Sequence, residues 1–421
     1  MRTHAHAKTT DHLGRYYTGR VISQLLVDSL PQHQRTPLLD LGAGEGSLSV
    51  AVSCKRDVLD LVTVDVDARA ARVLKRELNK GGFSGTHRHI RQDALSVSLP
   101  TYISEELRVR PILAVCNPPF LVPKWRKQYG EIAEDVGFSG CLPAIKNTDA
   151  AILFLAQNLR VLEREGTVGI IVPDSLVCAS KYLGFRRALV ERYDVRQAIR
   201  LPRASFVGTD AQAHILVIAK RCPTSEEIVL SNFMSPHSEV QSISVDRDRA
   251  AQRLDYLYHA SEITPDKPTL ASVTIDLRRG SFNSAEVRTN PSFILHTTNI
   301  SVDMRGNWYD FGKKSAPLLK TSPNSVFAET GDILIARVGR NAADKIIGIA
   351  GGSVAISDCL YRLRVKPQYR VKVMQALVSD SGRAWLQAHA HGVAASQISK
   401  VDLFRFPLVF CKPTRNRSSA Y

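Results

Sequence analysis

Pro37-Leu-Leu-Asp40-Leu-Gly42-Ala-Gly44-Glu-Gly46-Ser-Leu48 is the stretch on which the reading of the fold turns. Its apolar start reads as a buried strand. Three glycines follow, which let the backbone turn tightly and come close to a ligand. A helix then opens at about Ser47. The usual pyrophosphate fingerprint is G-x-G-x-x-G, whereas the spacing here is G-x-G-x-G, with an acid, Asp40, just before it. Asp40 disfavours an anion but not a cationic ligand end. A ligand with an amino-acid head and a sulfonium centre fits this loop better than a dinucleotide does.

Working outward, three further strands end in polar chemistry. Leu61-Val-Thr-Val-Asp65-Val-Asp67 closes in acids. Asp65 lies about 20 residues past the glycine loop, the separation at which an acid takes a ribose diol; the alternative is a helix cap, a job that suits Asp67 better. Arg91-Gln-Asp93-Ala94 follows a weak third strand. Asp93 there can accept from an adenine amine or simply cap a turn. The fourth strand, Ile112 to Val115, runs into Asn117-Pro118-Pro119-Phe120. Two prolines stop the ladder and stiffen the backbone, which holds Asn117 at the carboxyl end of a strand, where open α/β sheets bind ligands. The Asn117 amide and the Pro118 carbonyl are two acceptors for an exocyclic amine. Phe120 adds a flat face, so the group suits a planar amino-base; an isolated Asn-Pro pair is otherwise a common turn. Helical stretches separate these strand ends. The predicted fold class is α/β, a doubly wound parallel sheet with its ligand groups along one edge.

The chain has 421 residues, too many for one ordinary core, and two domains are expected. Its formal net charge of +16 points to a polyanionic partner, nucleic acid before an anionic membrane. No apolar run is long enough for a membrane span, and the start has no apolar signal core. The seven cysteines are scattered without a CxxC pair, which fits reduced thiols in the cytoplasm and neither a disulfide frame nor a metal site. Three histidines in the first 12 residues read as part of a frayed tail rather than as metal ligands. Thr18 or Gly19 is placed as the N-cap of an amphipathic helix containing Val21, Ile22, Leu25 and Leu26. A helix from Ala151 and a buried strand from Gly166 to Pro173 continue the pattern, and Lys220-Arg-Cys-Pro-Thr-Ser-Glu-Glu227 reads as a linker. The domains are therefore drawn at 1–221 and 222–421.

Over residues 13–221 the sequence resembles the S-adenosylmethionine-dependent DNA methyltransferases that act on the adenine N6 amine, in the subgroup with cofactor region first and target recognition last. The resemblance implies a Rossmann-like methyltransferase sheet with S-adenosyl-L-methionine as cofactor. It matches Tyr16-Tyr17-Thr18 to the N-terminal cofactor motif, and Asp40, Gly42, Ala43 and Gly44 to the loop around the methionine moiety. Asp65 and Val66 match the ribose site, and Asp93 and Ala94 the adenine site. Asn117, Pro118, Pro119 and Phe120 match the catalytic motif, where the family often has Tyr in place of Phe120. Phe206, in the loop before the strand His214–Ala219, matches an aromatic that stacks the far face of a flipped base. Related cytosine-N4 enzymes usually carry Ser in place of Asn117, which favours adenine.

The second half has no glycine loop. Gly331-Asp-Ile-Leu-Ile-Ala-Arg337-Val-Gly339-Arg340 alternates, with Asp332, Leu334 and Ala336 expected on one face and Ile333, Ile335 and Arg337 on the other. Its two terminal arginines are candidates for phosphate or base contacts, or a solvated strand end; Lys124, just past the Asn117 motif, is a third candidate DNA contact. This half resembles one target-recognition domain of type I restriction specificity subunits, through Gly331-Asp332-Ile-Leu, Ile356-Ser-Asp358 and Ser396-Gln-Ile398-Ser, which implies a mixed α+β recognition domain. The leading expectation is methylation of adenine N6 in double-stranded DNA, as the modification enzyme of a restriction-modification system with any nuclease encoded separately. The alternatives are an RNA base or protein glutamine amide as substrate, or a DNA-binding module with an inactive pocket. The intact Asp40, Gly42, Gly44, Asp65 and Asn117 argue against the last. Target sequence and oligomeric state are not legible.

Overall fold

The computed structural model describes residues 18–32, 36–55, 58–107, 110–144, 147–206, 209–261, 268–292, 294–313, 324–339, 341–392 and 395–408. The chain divides into two compact units, Met1–Ala260 and Ser261–Tyr421.

The first unit opens with α1 (Arg20–Ser29), β1 (Thr36–Leu41), α2 (Ser47–Lys55), β2 (Val58–Asp65), α3 (Ala68–Lys80), β3 (Thr86–Arg91), α4 (Leu99–Leu107) and β4 (Leu113–Cys116). It continues with α5 (Lys127–Glu134), α6 (Ala150–Val161), β5 (Thr167–Pro173), α7 (Asp174–Cys178), α8 (Leu183–Arg192), β6 (Asp194–Arg200), β7 (Ala213–Ala219), β8 (Glu227–Asn232), β9 (Gln241–Asp246), α9 (Arg247–Gln252) and α10 (Tyr256–Ala260). The strands form one sheet in the order β3-β2-β1-β4-β5-β7-β6-β8-β9. β1 pairs in parallel with both β2 and β4. The chain thus winds outward from β1 to β3 and then returns to start again at β4, which makes the β1–β4 boundary the switch point of the sheet. Ligands bind outside the carboxyl ends of the strands at such a point.

These strands read as continuous apolar runs because both faces are covered. Leu39, Leu41, Ala114 and Cys116 face one apolar cluster, completed by α4, α5, α6 and α8. Leu38, Leu113 and Val115 alternate to the other, completed by α1, α2 and α3. α6 is apolar nearly all round and is buried along almost its whole length, as a helix in the middle of a core must be.

The sheet departs from the all-parallel expectation at β7, which runs antiparallel to β5 and β6, and again at β9, which runs antiparallel to β8. The boundary between units also differs from the expected break at 221. Residues 220–227 are a turn inside the first unit: Arg221 pairs with Asp194 at 2.9 Å, and β8 adds to β6 in parallel register. The buried Arg186 guanidinium donates to the carbonyls of Leu176, Ala179, Ala251 and Gln252, tying α9 to the same body. Pro, Ser and Glu at the turn imitate a linker, whereas strand pairing and that arginine extend the unit to Ala260.

The second unit is mixed α+β. β10 (Thr274–Arg279), β11 (Ile294–Leu295), β12 (Trp308–Lys313), β13 (Phe327–Glu329), β14 (Ile333–Ala336), β15 (Ile346–Ile356) and β16 (Leu360–Val365) form a sheet in the order β10-β16-β14-β15-β11, with β12 and β13 also on β15. Helices Leu270–Val273, Ser284–Thr289, Arg370–Val378, Asp380–His389 and Lys400–Phe404 complete it. Both faces of β14 are covered: Ile333 and Ile335 enter one apolar cluster, Leu334 and Ala336 another. Asp332, 1% exposed, is balanced by Arg364, whose Nε and Nη2 donate to it at 2.7 and 2.9 Å. Among the described residues no helix is long and apolar enough to cross a membrane.

Candidate active site

The groups expected at the strand ends meet around one cavity of about 330 Å³ at the switch point. From β1, Asp40 is 1% exposed and accepts from Ser49 Oγ at 2.6 Å. Burial, with a smaller push from Asp65, raises its pKa to about 7 against the bond from Ser49. Gly42, Gly44 and Gly46 have φ of +74°, +51° and +85°, which L side chains rarely adopt. The Gly42 and Ala43 amides donate to Val64 O, pinning the loop to the end of β2. A Cβ on Gly46 would sit 1.9 Å from Leu74 Cδ1, whereas one on Gly44 would meet nothing within 4 Å. Gly46 therefore lets the loop close onto α3, and Gly44 keeps its own side of the loop clear beside the cavity.

From β2, Asp65 accepts from Gly44 N and Asp67 N, both at 2.8 Å. Asp65 is thus the acid that ties the glycine loop to β2, with further lone pairs available to a ligand. Asp67 caps α3 through Arg69 N, as expected. Asp93 accepts from Leu95 N at 2.9 Å and from Arg126 at 2.8 Å. From β4, Asn117 Nδ2 donates to Thr18 Oγ1 at 2.9 Å. Thr18, Ala43, Val66, Ala94 and Pro119 line the same cavity. Tyr17 lies outside the described residues.

Phe120 and Phe206 meet edge to face, with centroids 6.1 Å apart and planes at 72°. Phe206 is 2% exposed, and its backbone bridges to Thr18. The two rings are in contact with each other, rather than parallel walls of an open slot for a base. The loop that carries Phe206 is clamped at its stem. Arg200 reaches Asp255 and Gln212, both at 3.1 Å, and Gln212 donates to Leu201 O. Beside this stem lie Asp174, Cys178 and His214, all buried, with Arg200 supplying positive charge 3.8 Å from the Asp174 carboxylate.

Sequence reasoning missed Glu45, Phe154 and Arg126, which also line the cavity. Glu45 sits inside the glycine run and was legible there. Phe154 comes from α6, where it looks like any core residue. Nothing in the sequence pairs Arg126 with Asp93. The candidate DNA contacts fare differently from one another. Lys124 is exposed. Arg337 follows the end of β14 and gives Nε to Asp358 O at 2.8 Å and Nη1 to Gln397 at 3.4 Å, a structural use that competes with the contact expected of it. Arg340 lies outside the described residues.

The sequence profile of the N-6 DNA methylase family matches residues 1–260. The chain belongs to that family. The methylase match spans the first compact unit, glycine loop and Asn117 motif included. A curated protein of Methanocaldococcus jannaschii, named as a type II restriction enzyme and methyltransferase, is 29% identical over 82 residues, 20% of this chain and 7% of its own. Among solved structures, the type IIG restriction endonuclease BpuSI superposes with a TM-score of 0.51 at 13% identity, over 96% of this chain and 59% of that one. The type IIL restriction-modification enzyme MmeI, solved in complex with DNA, gives 0.52 at 12% identity, over 91% of this chain and 62% of that one. At these identities the likeness is one of fold. This N-6 methylase chain spans about three-fifths of the length of those two enzymes.

Proposed function

We propose that the chain methylates the exocyclic N6 amine of adenine in double-stranded DNA, with S-adenosyl-L-methionine as methyl donor, as the modification activity of a restriction-modification system. One observation carries the reading: Asn117 at the end of β4 shares a cavity wall with the glycine loop at the end of β1, on either side of the switch point. The cavity is of the size that takes a small ligand, and its donor set suits this one. A buried acid, Asp40, faces the amino-acid end. The clear side of Gly44 admits close approach to backbone. Asp65 and Asp93 keep acceptor capacity for a ribose diol and an adenine amine. The cofactor supplies an electrophilic methyl group on a sulfonium centre.

The chain's own groups act on the target amine. That amine is a poor nucleophile because its lone pair is delocalised into the ring. The Asn117 carbonyl and the Pro118 carbonyl accept its two hydrogens, draw it towards tetrahedral geometry and stabilise the positive charge that develops on nitrogen. Holding the amine in line at near-attack distance supplies much of the rest. A paired base cannot reach such a site, so it must leave the helix. Phe120 and Phe206 then part to take its two faces. The second unit serves as the target-recognition domain; the net charge of +16 and the fold likeness to MmeI across both units favour DNA as the partner.

The test is to sequence DNA from cells expressing the chain with a modification-sensitive reader. Adenine modification at one short recurring sequence is expected. Unmodified DNA, with the methyl group found instead on RNA or a glutamine amide, would overturn the proposal.

A further inference from the structure

We infer that Thr18 is the residue that orients the Asn117 amide for catalysis. The inference rests on the reading of the site as an amine methyltransferase.

The target amine has hydrogens to give, and its lone pair is committed to the ring and then to the methyl group. The atom of Asn117 that meets it must therefore be Oδ1. In that orientation the other end of the amide, Nδ2, must give its hydrogens to an acceptor. Thr18 Oγ1, 2.9 Å away, is that acceptor. The reversed orientation would turn donors onto donors at the target amine. Thr18 is 8% exposed, so water does not readily replace its hydroxyl.

The use of this hydroxyl is itself informative. A threonine at the start of α1 is expected to cap it, but Gly19 is the N-cap and the helix has no side-chain cap bond. The hydroxyl is turned into the site instead. The backbone of Thr18 also bridges to Phe206. One residue thus joins the amine acceptor on β4 to the loop that bears the second aromatic face, across 99 positions of sequence in one direction.

Thr18→Val keeps the shape and branching of the side chain and removes the acceptor; Thr18→Ser restores it. In single-turnover methyl transfer to a duplex holding the target site, Thr18→Val should be slower by about ten- to a hundredfold, the cost of holding the half-buried Asn117 amide in that orientation without the Thr18 acceptor. Thr18→Ser should stay within about threefold by the same reasoning. On calorimetry DNA affinity should be little changed in both, and any fall in sinefungin affinity in Thr18→Val, which alters a residue of the cavity lining, should be smaller than the fall in rate. In the cofactor-free protein, the Asn117 side-chain amide resonances, assigned by their loss in Asn117→Asp, should shift in Thr18→Val and return in Thr18→Ser. Unchanged turnover in Thr18→Val would overturn the inference. So would a loss of sinefungin affinity equal to the loss of rate, which would make Thr18 a cofactor contact, or a serine variant as slow as the valine. If the wild-type chain transfers no methyl group to DNA, the functional reading fails and the inference fails with it; an active wild type with an equally active Thr18→Val fails the inference alone.

Discussion

Gly44 and Gly46 are two residues apart in one loop, both with positive φ, yet alanine should harm them in different ways. At either position a Cβ in the left-handed region costs about 1–2 kcal/mol. At Gly44 that is the whole structural cost, because nothing lies within 4 Å of the added methyl. At Gly46 the methyl falls 1.9 Å from Leu74 Cδ1 and 3.1 Å from its Cγ. Leu74 is fully buried, and forcing such a side chain aside costs about 1–3 kcal/mol more. Gly44→Ala should thus lose about 1–2 kcal/mol of stability and Gly46→Ala about 2–5 kcal/mol. Ligand binding should rank them the other way relative to fold. The Gly44 methyl sits beside the cavity, so sinefungin affinity should fall at least tenfold in a protein that melts cooperatively. Urea unfolding and calorimetric titration of both variants provide the comparison. Equal stability losses would refute the packing argument, and wild-type sinefungin affinity in Gly44→Ala would refute the loop as the cofactor cradle.

Asp40 makes stability depend on pH with an unusual sign. An unfolded Asp ionises near 3.8, whereas buried Asp40 keeps its proton to about 7. Between those values the unfolded chain loses the proton first, so stability falls as pH rises, by up to about 1.4 kcal/mol per unit, and is level above about 7. Asn at this position should remove the trend, and a wild-type-minus-Asp40→Asn difference that is the same at pH 5 and pH 8 would contradict it. In the second unit, Arg364→Ala strands the buried Asp332 carboxylate and should cost about 3–5 kcal/mol. Arg337→Ala loses only its bonds to Asp358 O and Gln397 and should cost about 1 kcal/mol; a change in the salt dependence of DNA binding without a stability loss would restore Arg337 as a phosphate contact. Phe206→Leu, which keeps the apolar fill, should slow methylation of a paired adenine more than of an adenine opposite a mismatch, since the mismatch has already lost pairing energy. Equal fractional losses on the two targets would make Phe206 a packing residue only.

Much of the first unit was legible because its information is local. A strand that ends in Gly-x-Gly-x-Gly, and another that ends in Asn-Pro-Pro, carry their geometry in a few consecutive residues. β6 and β8 were not legible. Asp-Val-Arg-Gln-Ala-Ile-Arg200 has no apolar run, and what makes it a strand is pairing with β7 on one side and β8 on the other. The misplaced domain boundary follows from the same cause. Of the two N-cap candidates for α1, Gly19 takes the position, and the Thr18 hydroxyl meets Asn117, a partner too distant in sequence to be legible. Arg337 is expected to contact DNA, or to end a strand in solvent, because alternation gives no sign that the Asp358 carbonyl lies beyond it.

The central claim is that Asn117 is the acceptor that activates an adenine amine. Single-turnover transfer of labelled methyl from S-adenosyl-L-methionine to duplex DNA, comparing wild type with Asn117→Ala, tests it most directly. The wild type should place the label on adenine N6. The variant should be slower by about a hundredfold or more, with sinefungin and DNA affinities changed only a few-fold. Near-normal transfer by Asn117→Ala at saturating substrates, or label recovered on any atom other than adenine N6, would contradict the account.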